Sequence, residues 1–251
     1  MYNTQNVSIE IKDVWKSYGN NVVLHNASLA VNPGETLCII GRSGQGKSVL
    51  LRLIIGLEDV DEGTILLNGI DVKQYREMHF QRKPFRVAMV FQSSALINSL
   101  TVFENIALHP REHKLAKYSD LYELVRTCLR HVDLEQAINL YPVELSGGMK
   151  KRVAIARALA SLPNVMLFDE PTAELDPVLC NDVAYLIKAI KTKRHMTQII
   201  VTHNLVFARQ IANRIALLEK GKIACIVTPD SLLETDNASL MSFIGASGLQ
   251  G

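Results

Sequence analysis

Aromatic residues are scarce in this chain, at 6%, and Trp15 is its single tryptophan. Net charge is nearly absent too: 27 Lys and Arg face 25 Asp and Glu, which leaves +2. Nucleic-acid binders gather cations against the phosphate backbone, so this balance argues against nucleic acid as the main partner. Only four cysteines occur, Cys38, Cys128, Cys180 and Cys225, with no CxxC and no Cys/His pair at metal-ligand spacing. In a chain of this size that opens on no secretion signal, they are expected to be reduced and buried. No stretch approaches the ~20 consecutive apolar residues of a membrane-spanning helix. Residues 87–103 carry no charge, but Gln92, Ser93, Ser94, Asn98, Ser99 and Thr101 make them too polar for that role. Residues 1–13 contain no apolar signal core. The expectation is a soluble protein that reaches a membrane only by docking.

What is present is ordinary globular material: 251 residues, 48% hydrophobic and 21% charged. Val7, Ile9 and Ile11 alternate with Ser8, Glu10 and Lys12, as a half-buried strand does. Residues 22–24 and 29–31 read as two further short strands. Residues 35–40 form a near-continuous apolar run after the turn Asn32-Pro33-Gly34, which suits a strand covered on both faces. Residues 65–68, 87–91, 165–169 and 198–202 read as strands. Residues 215–218 and 222–227 read as a hairpin through Lys220-Gly221. Between residues 93 and 145 strand signals nearly vanish, and Leu121, Leu124, Val125, Cys128 and Leu129 fall at helical spacing. Ser146 is placed to cap a helix that runs to Ala160, and a further helix is expected around residues 179–190. Strands alternating with helices predict an α/β domain with a mostly parallel sheet.

Gly41-Arg42-Ser43-Gly44-Gln45-Gly46-Lys47-Ser48 fits the pattern GxxxxGK[ST], directly after an apolar strand and before a helix. Glycines let successive backbone N–H groups turn toward phosphates, and the following helix adds its positive end. Lys47 is then the cation for the β- and γ-phosphates, and the Ser48 hydroxyl a ligand for Mg²⁺. Val165-Met-Leu-Phe-Asp169-Glu170 is a strand that ends in two carboxylates. Asp169 can hold Mg²⁺ through water, and Glu170 can polarise an attacking water.

Leu145-Ser146-Gly147-Gly148-Met149, followed by Lys150-Lys151-Arg152-Val-Ala-Ile-Ala-Arg157, resembles the signature of ABC-type ATPases. Gln92 after Val90-Phe91 resembles the family's Q-loop, Ala173-Glu174-Leu175-Asp176 its D-loop and His203 after Thr202 its switch histidine. Tyr18 resembles the aromatic that stacks on adenine. The motifs stand in the family's order across about residues 7–228. The resemblance implies a P-loop NTPase with the ABC ATPase fold: a mostly parallel core sheet, an antiparallel β subdomain and a helical insert. It implies one domain over residues 1–251, with core and β subdomain at about 7–92 and 160–228, a helical subdomain at about 93–159 and a short tail at 229–251. It implies ATP and Mg²⁺ as cofactors, with Mg²⁺ on Ser48, Gln92 and Asp169. The catalytic set it implies is Glu170, His203, Gln92 and Lys47. Nucleotide contacts would come from Tyr18, residues 41–48, Ser146, Gly147, Gly148 and Asp176.

Two phosphate-binding helix starts in one chain do not easily serve one nucleotide. In this family two domains face head to tail, so the resemblance implies an ATP-sandwich dimer, of two copies or of this chain with a similar one, working on an integral-membrane permease. Met149 stands where the family usually has Gln, and a thioether cannot reproduce an amide's hydrogen bonds. Glu174 stands where a small residue is usual. The string from Glu144 to Arg157, with residues 91–96 and 99–105, is most similar to the ATPases of Mla/Mce-type phospholipid transport. That likeness implies an Mce-type lipid-binding protein and a STAS-type small subunit as further partners. It places the chain peripherally on the cytoplasmic face of the inner (plasma) membrane. The alternatives are the ATPase of an importer for another solute, and a nucleotide-switched module of the cell-division type that transports nothing.

Overall fold

Every residue of Thr36–Ile40 is buried, as its apolar run requires, and this strand forms the middle of the core. The computed structural model describes residues 6–247. In chain order the strands are Ile9–Tyr18 (β1), Asn21–Val31 (β2), Thr36–Ile40 (β3), Glu62–Leu67 (β4), Ile70–Asp71 (β5), Val87–Val90 (β6), Val165–Asp169 (β7), Thr197–Thr202 (β8), Arg214–Glu219 (β9) and Lys222–Val227 (β10). The α-helices are Lys47–Ile55 (α1), Val72–Glu77 (α2), Val102–Glu112 (α3), Tyr118–Arg130 (α4), Gly147–Ala160 (α5), Pro177–Arg194 (α6), Leu205–Ile211 (α7) and Ala238–Ser247 (α8).

One sheet has the order β10-β9-β3-β8-β7-β6, and the other the order β2-β1-β4-β5. In the first, β6, β7, β8, β3 and β9 run parallel, and β10 closes the edge as an antiparallel hairpin. The second is antiparallel throughout. Side chains alternate across a strand, so β3 feeds two cores. Cys38 and Ile40 join the apolar cluster built by α3 to α8, while Leu37 and Ile39 join the one built by α1, α2 and the antiparallel sheet. The parallel register sets Ile40 beside Thr202 and Asp169 beside Val201. The carboxyl ends of β3, β7 and β8 therefore open side by side, where ligands gather in sheets of this kind.

Local chemistry explains the helix limits. Gly46, at φ 95°, leads into α1, and Gly56, at φ 77°, ends it, with its N–H donated to the last-turn carbonyls. Thr101 and Glu104 form a capping box at the start of α3. Ser146 accepts the Met149 N–H at 3.3 Å and starts α5.

Several expectations need correction. Residues 21–31 form one strand, not two; Asn26 at φ 52° marks the interruption in the alternation, and β1 pairs with β2 through register shifts. The helices α2 and α7, of six and seven residues, are too short to show a period and were not expected. All four cysteines are free, but only Cys38 and Cys128 are buried; Cys180 and Cys225 are half-buried. The tail adds no separate core: Leu240 and Phe243 of α8 pack into the cluster around α5 to α7.

Candidate functional site

The loop from Gly41 to Gly46 leaves β3 and enters α1 with its first N–H groups free of intrahelical partners. No side chain caps that start. Its glycines are required by space. A Cβ on Gly41 would lie 2.4 Å from the Leu218 carbonyl oxygen, and one on Gly46 2.9 Å from Leu24 Cδ2. Gly41→Ala is accordingly expected to lower stability by about 1–3 kcal/mol, the usual cost of overpacking, read as a fall in the urea midpoint. Arg42, Ser43 and Gly44 form the exposed rim of the loop. Gln45 turns inward, and its Oε1 accepts the Lys220 N–H at 2.5 Å.

Lys47 is buried and lies back along its own loop. Its Nζ donates to the Gly41 and Arg42 carbonyls at 2.8 and 3.2 Å, and it stands 3.5 Å from Glu170 Oε1. The next residue, Ser48, donates its hydroxyl to Asp169 Oδ1 at 2.7 Å. Burial pushes the Asp169 carboxyl above the ordinary value, against the pull of the Ser48 hydrogen bond. Glu170 follows at φ 45°. Its other oxygen, Oε2, accepts the His203 backbone N–H at 3.2 Å and lies 3.0 Å from His203 Nδ1. The loop lysine, the strand-end glutamate and the histidine after β8 are thus one connected group. A cleft of about 500 Å³ opens beside it, lined by Arg42, Ser43, His203, Asn204 and Phe243 among others.

The other residues singled out in the sequence have partners of their own. Gln92 is exposed in the turn after β6, and its backbone carbonyl accepts from Lys151 Nζ. Tyr18 ends β1 with its ring half-exposed and its hydroxyl donated to Glu58, which also accepts from Arg52 Nε at 2.5 Å. Ser146 and Gly147 are exposed at the start of α5, while Gly148 is buried against Leu179 in the first turn of α6. Asp176 caps α6 by accepting the Val178 and Leu179 N–H groups, each at 2.9 Å. Asp176→Ala is expected to lower stability by about 1 kcal/mol through loss of that cap, measured by urea unfolding.

Lys151 is the residue the sequence reading passed over. Its signal is spacing: on α5, residues 148, 151 and 155 share one face, and Gly148 and Ile155 on that face are both buried. A lysine on a buried stripe calls for a partner.

The donor set fits Mg²⁺ and a nucleotide. A hydroxyl and a buried, desolvated carboxylate are hard oxygen donors, and a second buried carboxylate stands next in sequence. Among the described residues no three His, Cys, Asp or Glu gather as a metal cage. Mg²⁺ suits such a site, because it keeps waters and takes the rest of its shell from phosphates. Among the described residues, no helix is long and apolar enough to cross a membrane.

The profile of the ABC transporter family matches residues 24–173. The chain is 43% identical over 217 residues to a methionine import ATP-binding protein of Clostridium tetani, covering 86% of this chain and 68% of that protein. It is 40% identical over 227 residues to a glutamine transport ATP-binding protein of Escherichia coli, covering 90% and 93%. Among solved structures, a dimeric ATP-binding cassette in a post-hydrolysis state, bound to ADP and Pi, matches with a TM-score of 0.78 at 31% identity, over 88% of this chain and 98% of that one. The matched span takes in the loop from Gly41 to Ser48 and both Asp169 and Glu170, and the chain belongs to the ABC transporter family, as an ATP-binding subunit that takes ATP with Mg²⁺ and hydrolyses it.

Proposed function

We propose that two copies of the chain meet head to tail, with the ATP on the loop of one closed by Ser146, Gly147 and Gly148 of the other, and that this dimer drives a membrane permease. The carrying observation is the second anion-binding helix start: Ser146 and Gly147 are exposed at the positive end of α5, in a chain that already has a phosphate loop. Within one site, Lys47 and residues 41–46 hold the phosphates and Tyr18 offers its ring to adenine. Ser48, Asp169 and Gln92 would hold Mg²⁺, which supplies charge neutralisation on the phosphate oxygens. Glu170 orients water for in-line attack, and His203 senses the γ-phosphate. Asp176, in the loop before α6, links the two sites. Residues 7–92 and 160–228 form the catalytic body. Residues 93–159 form the arm that carries motion to the permease from the cytoplasmic face of the inner membrane, and residues 229–251 are an appended tail.

The transported substrate is phospholipid in this reading, which rests on the resemblance of residues 144–157, 91–96 and 99–105 to the motifs of Mla/Mce-type ATPases. An Mce-type lipid-binding protein and a STAS-type subunit complete the assembly. The relatives named above, for methionine and glutamine, favour a second reading: an importer ATPase for a small solute. Purification of the tagged protein from its own membranes in mild detergent, with mass spectrometry of the co-purifying proteins, separates them. A permease with an Mce-type protein supports the lipid reading. A permease with a solute-binding protein replaces it with the importer. A division protein with no permease removes transport altogether.

A further inference from the structure

Lys151 is buried to 7% exposure one turn into α5 and donates its ammonium to the Gln92 carbonyl. A buried lysine is costly unless its charge is answered. Here burial lowers its proton affinity, and the negative charges of Glu174, Asp169 and Glu170 act in the opposite sense. The backbone it holds is itself unusual. Ser94 at φ 62° and Ala95 at φ 47° are consecutive non-glycine residues in the left-handed region. Such a turn persists only where its surroundings hold it. Arg157, further along α5, donates to the Ala95 and Ser94 carbonyls at 2.6 and 2.9 Å. Two cations of one helix therefore hold the whole turn that presents Gln92.

We infer that Lys151 is a positioning residue for hydrolysis: it fixes the Gln92 turn to α5, so that the Gln92 amide is delivered to the metal beside Ser48 and Asp169. The inference rests on the reading of Gln92 as an Mg²⁺ ligand. The same helix carries Ser146 and Gly147 at its start, so one element joins the Gln92 turn to that start.

The test measures ATPase rate against Mg²⁺ concentration in the full chain, with nucleotide binding in EDTA and thermal unfolding alongside. Lys151→Met is expected to raise the half-saturating Mg²⁺ concentration about fivefold and to lower kcat about tenfold. Binding of ATP without metal should stay within about twofold, because the phosphate loop is untouched. Together they lower kcat over the half-saturating Mg²⁺ concentration about fiftyfold, roughly 2.4 kcal/mol at 1.4 kcal/mol per tenfold, the size of one hydrogen bond to a charged group. Lys151→Arg is expected to restore the Mg²⁺ requirement. Gln92→Ala is expected to reproduce the Mg²⁺ shift, and the double variant to add nothing to it. Should Lys151→Met not fold, Lys151→Gln, shorter by one atom, carries the same expectation. A Mg²⁺ requirement unmoved at Lys151 but raised in Gln92→Ala overturns the inference alone. A requirement unmoved in Gln92→Ala overturns the Gln92 reading and the inference with it.

Discussion

Glu170→Gln is expected to lower steady-state ATP hydrolysis by about 10²- to 10⁴-fold, the range a positioned general base supplies. ATP affinity should hardly change. Glu170 stands between Lys47 Nζ at 3.5 Å and His203 Nδ1 at 3.0 Å, at the carboxyl end of β7. The amide keeps the side chain's shape and can still accept the His203 backbone N–H through its oxygen. It cannot take a proton from water. An enzyme that binds ATP and cannot cleave it should collect in the closed dimer, seen by light scattering as an ATP-dependent doubling of mass. Turnover within threefold of wild type would remove Glu170 from its role.

Ser146→Glu is expected to abolish turnover to a comparable degree for a different reason, with ATP still bound at the chain's own loop. Ser146 caps α5 by accepting the Met149 N–H at 3.3 Å, and its own position is exposed. A glutamate there sets a negative charge on the helix start that has to meet the γ-phosphate of the facing copy. Like charges brought together in a closing, water-poor interface repel strongly. The Lys47 loop keeps its contacts, so fluorescent-nucleotide titration should give an affinity near that of the wild type, while light scattering shows no dimer. Loss of nucleotide binding in this variant would mean that the signature serves its own loop.

The two substitutions also show which parts of the site were open to reading in the sequence. Residues 41–48 and 165–170 are each continuous, and their meaning lies in local rules: a glycine loop between strand and helix, an apolar strand ending in acid. Their convergence with His203 is not local. It follows from the parallel register that sets Ile40 beside Thr202 and Asp169 beside Val201, which no spacing encodes. The Tyr18–Glu58–Arg52 link escaped for the same reason, because its hydroxyl partner lies 40 residues away. Lys151 was legible in principle, on the buried face of α5, but α5 is apolar around most of its girth and gives no sharp stripe to stand out from. Short helices such as α2 and α7 offer less than two full turns of pattern. The transported substrate is a different case. In the proposed reading the residues around Lys47, Asp169 and Glu170 handle phosphate and water, so they carry no signal for a lipid or an amino acid.

Mixing two inactive variants tests the head-to-tail site most directly. Lys47→Ala lacks the loop cation, and Ser146→Glu lacks a usable signature. In a mixed dimer one site receives both defects, while the other combines an intact loop from the Ser146→Glu copy with an intact signature from the Lys47→Ala copy. ATPase activity of each variant alone and of their equimolar mixture is the measurement. The account expects each alone to be silent and the mixture to regain a clear fraction of wild-type turnover. A silent mixture, with mixed dimers demonstrated by a tag on one copy, would contradict it and return the signature to its own chain's nucleotide.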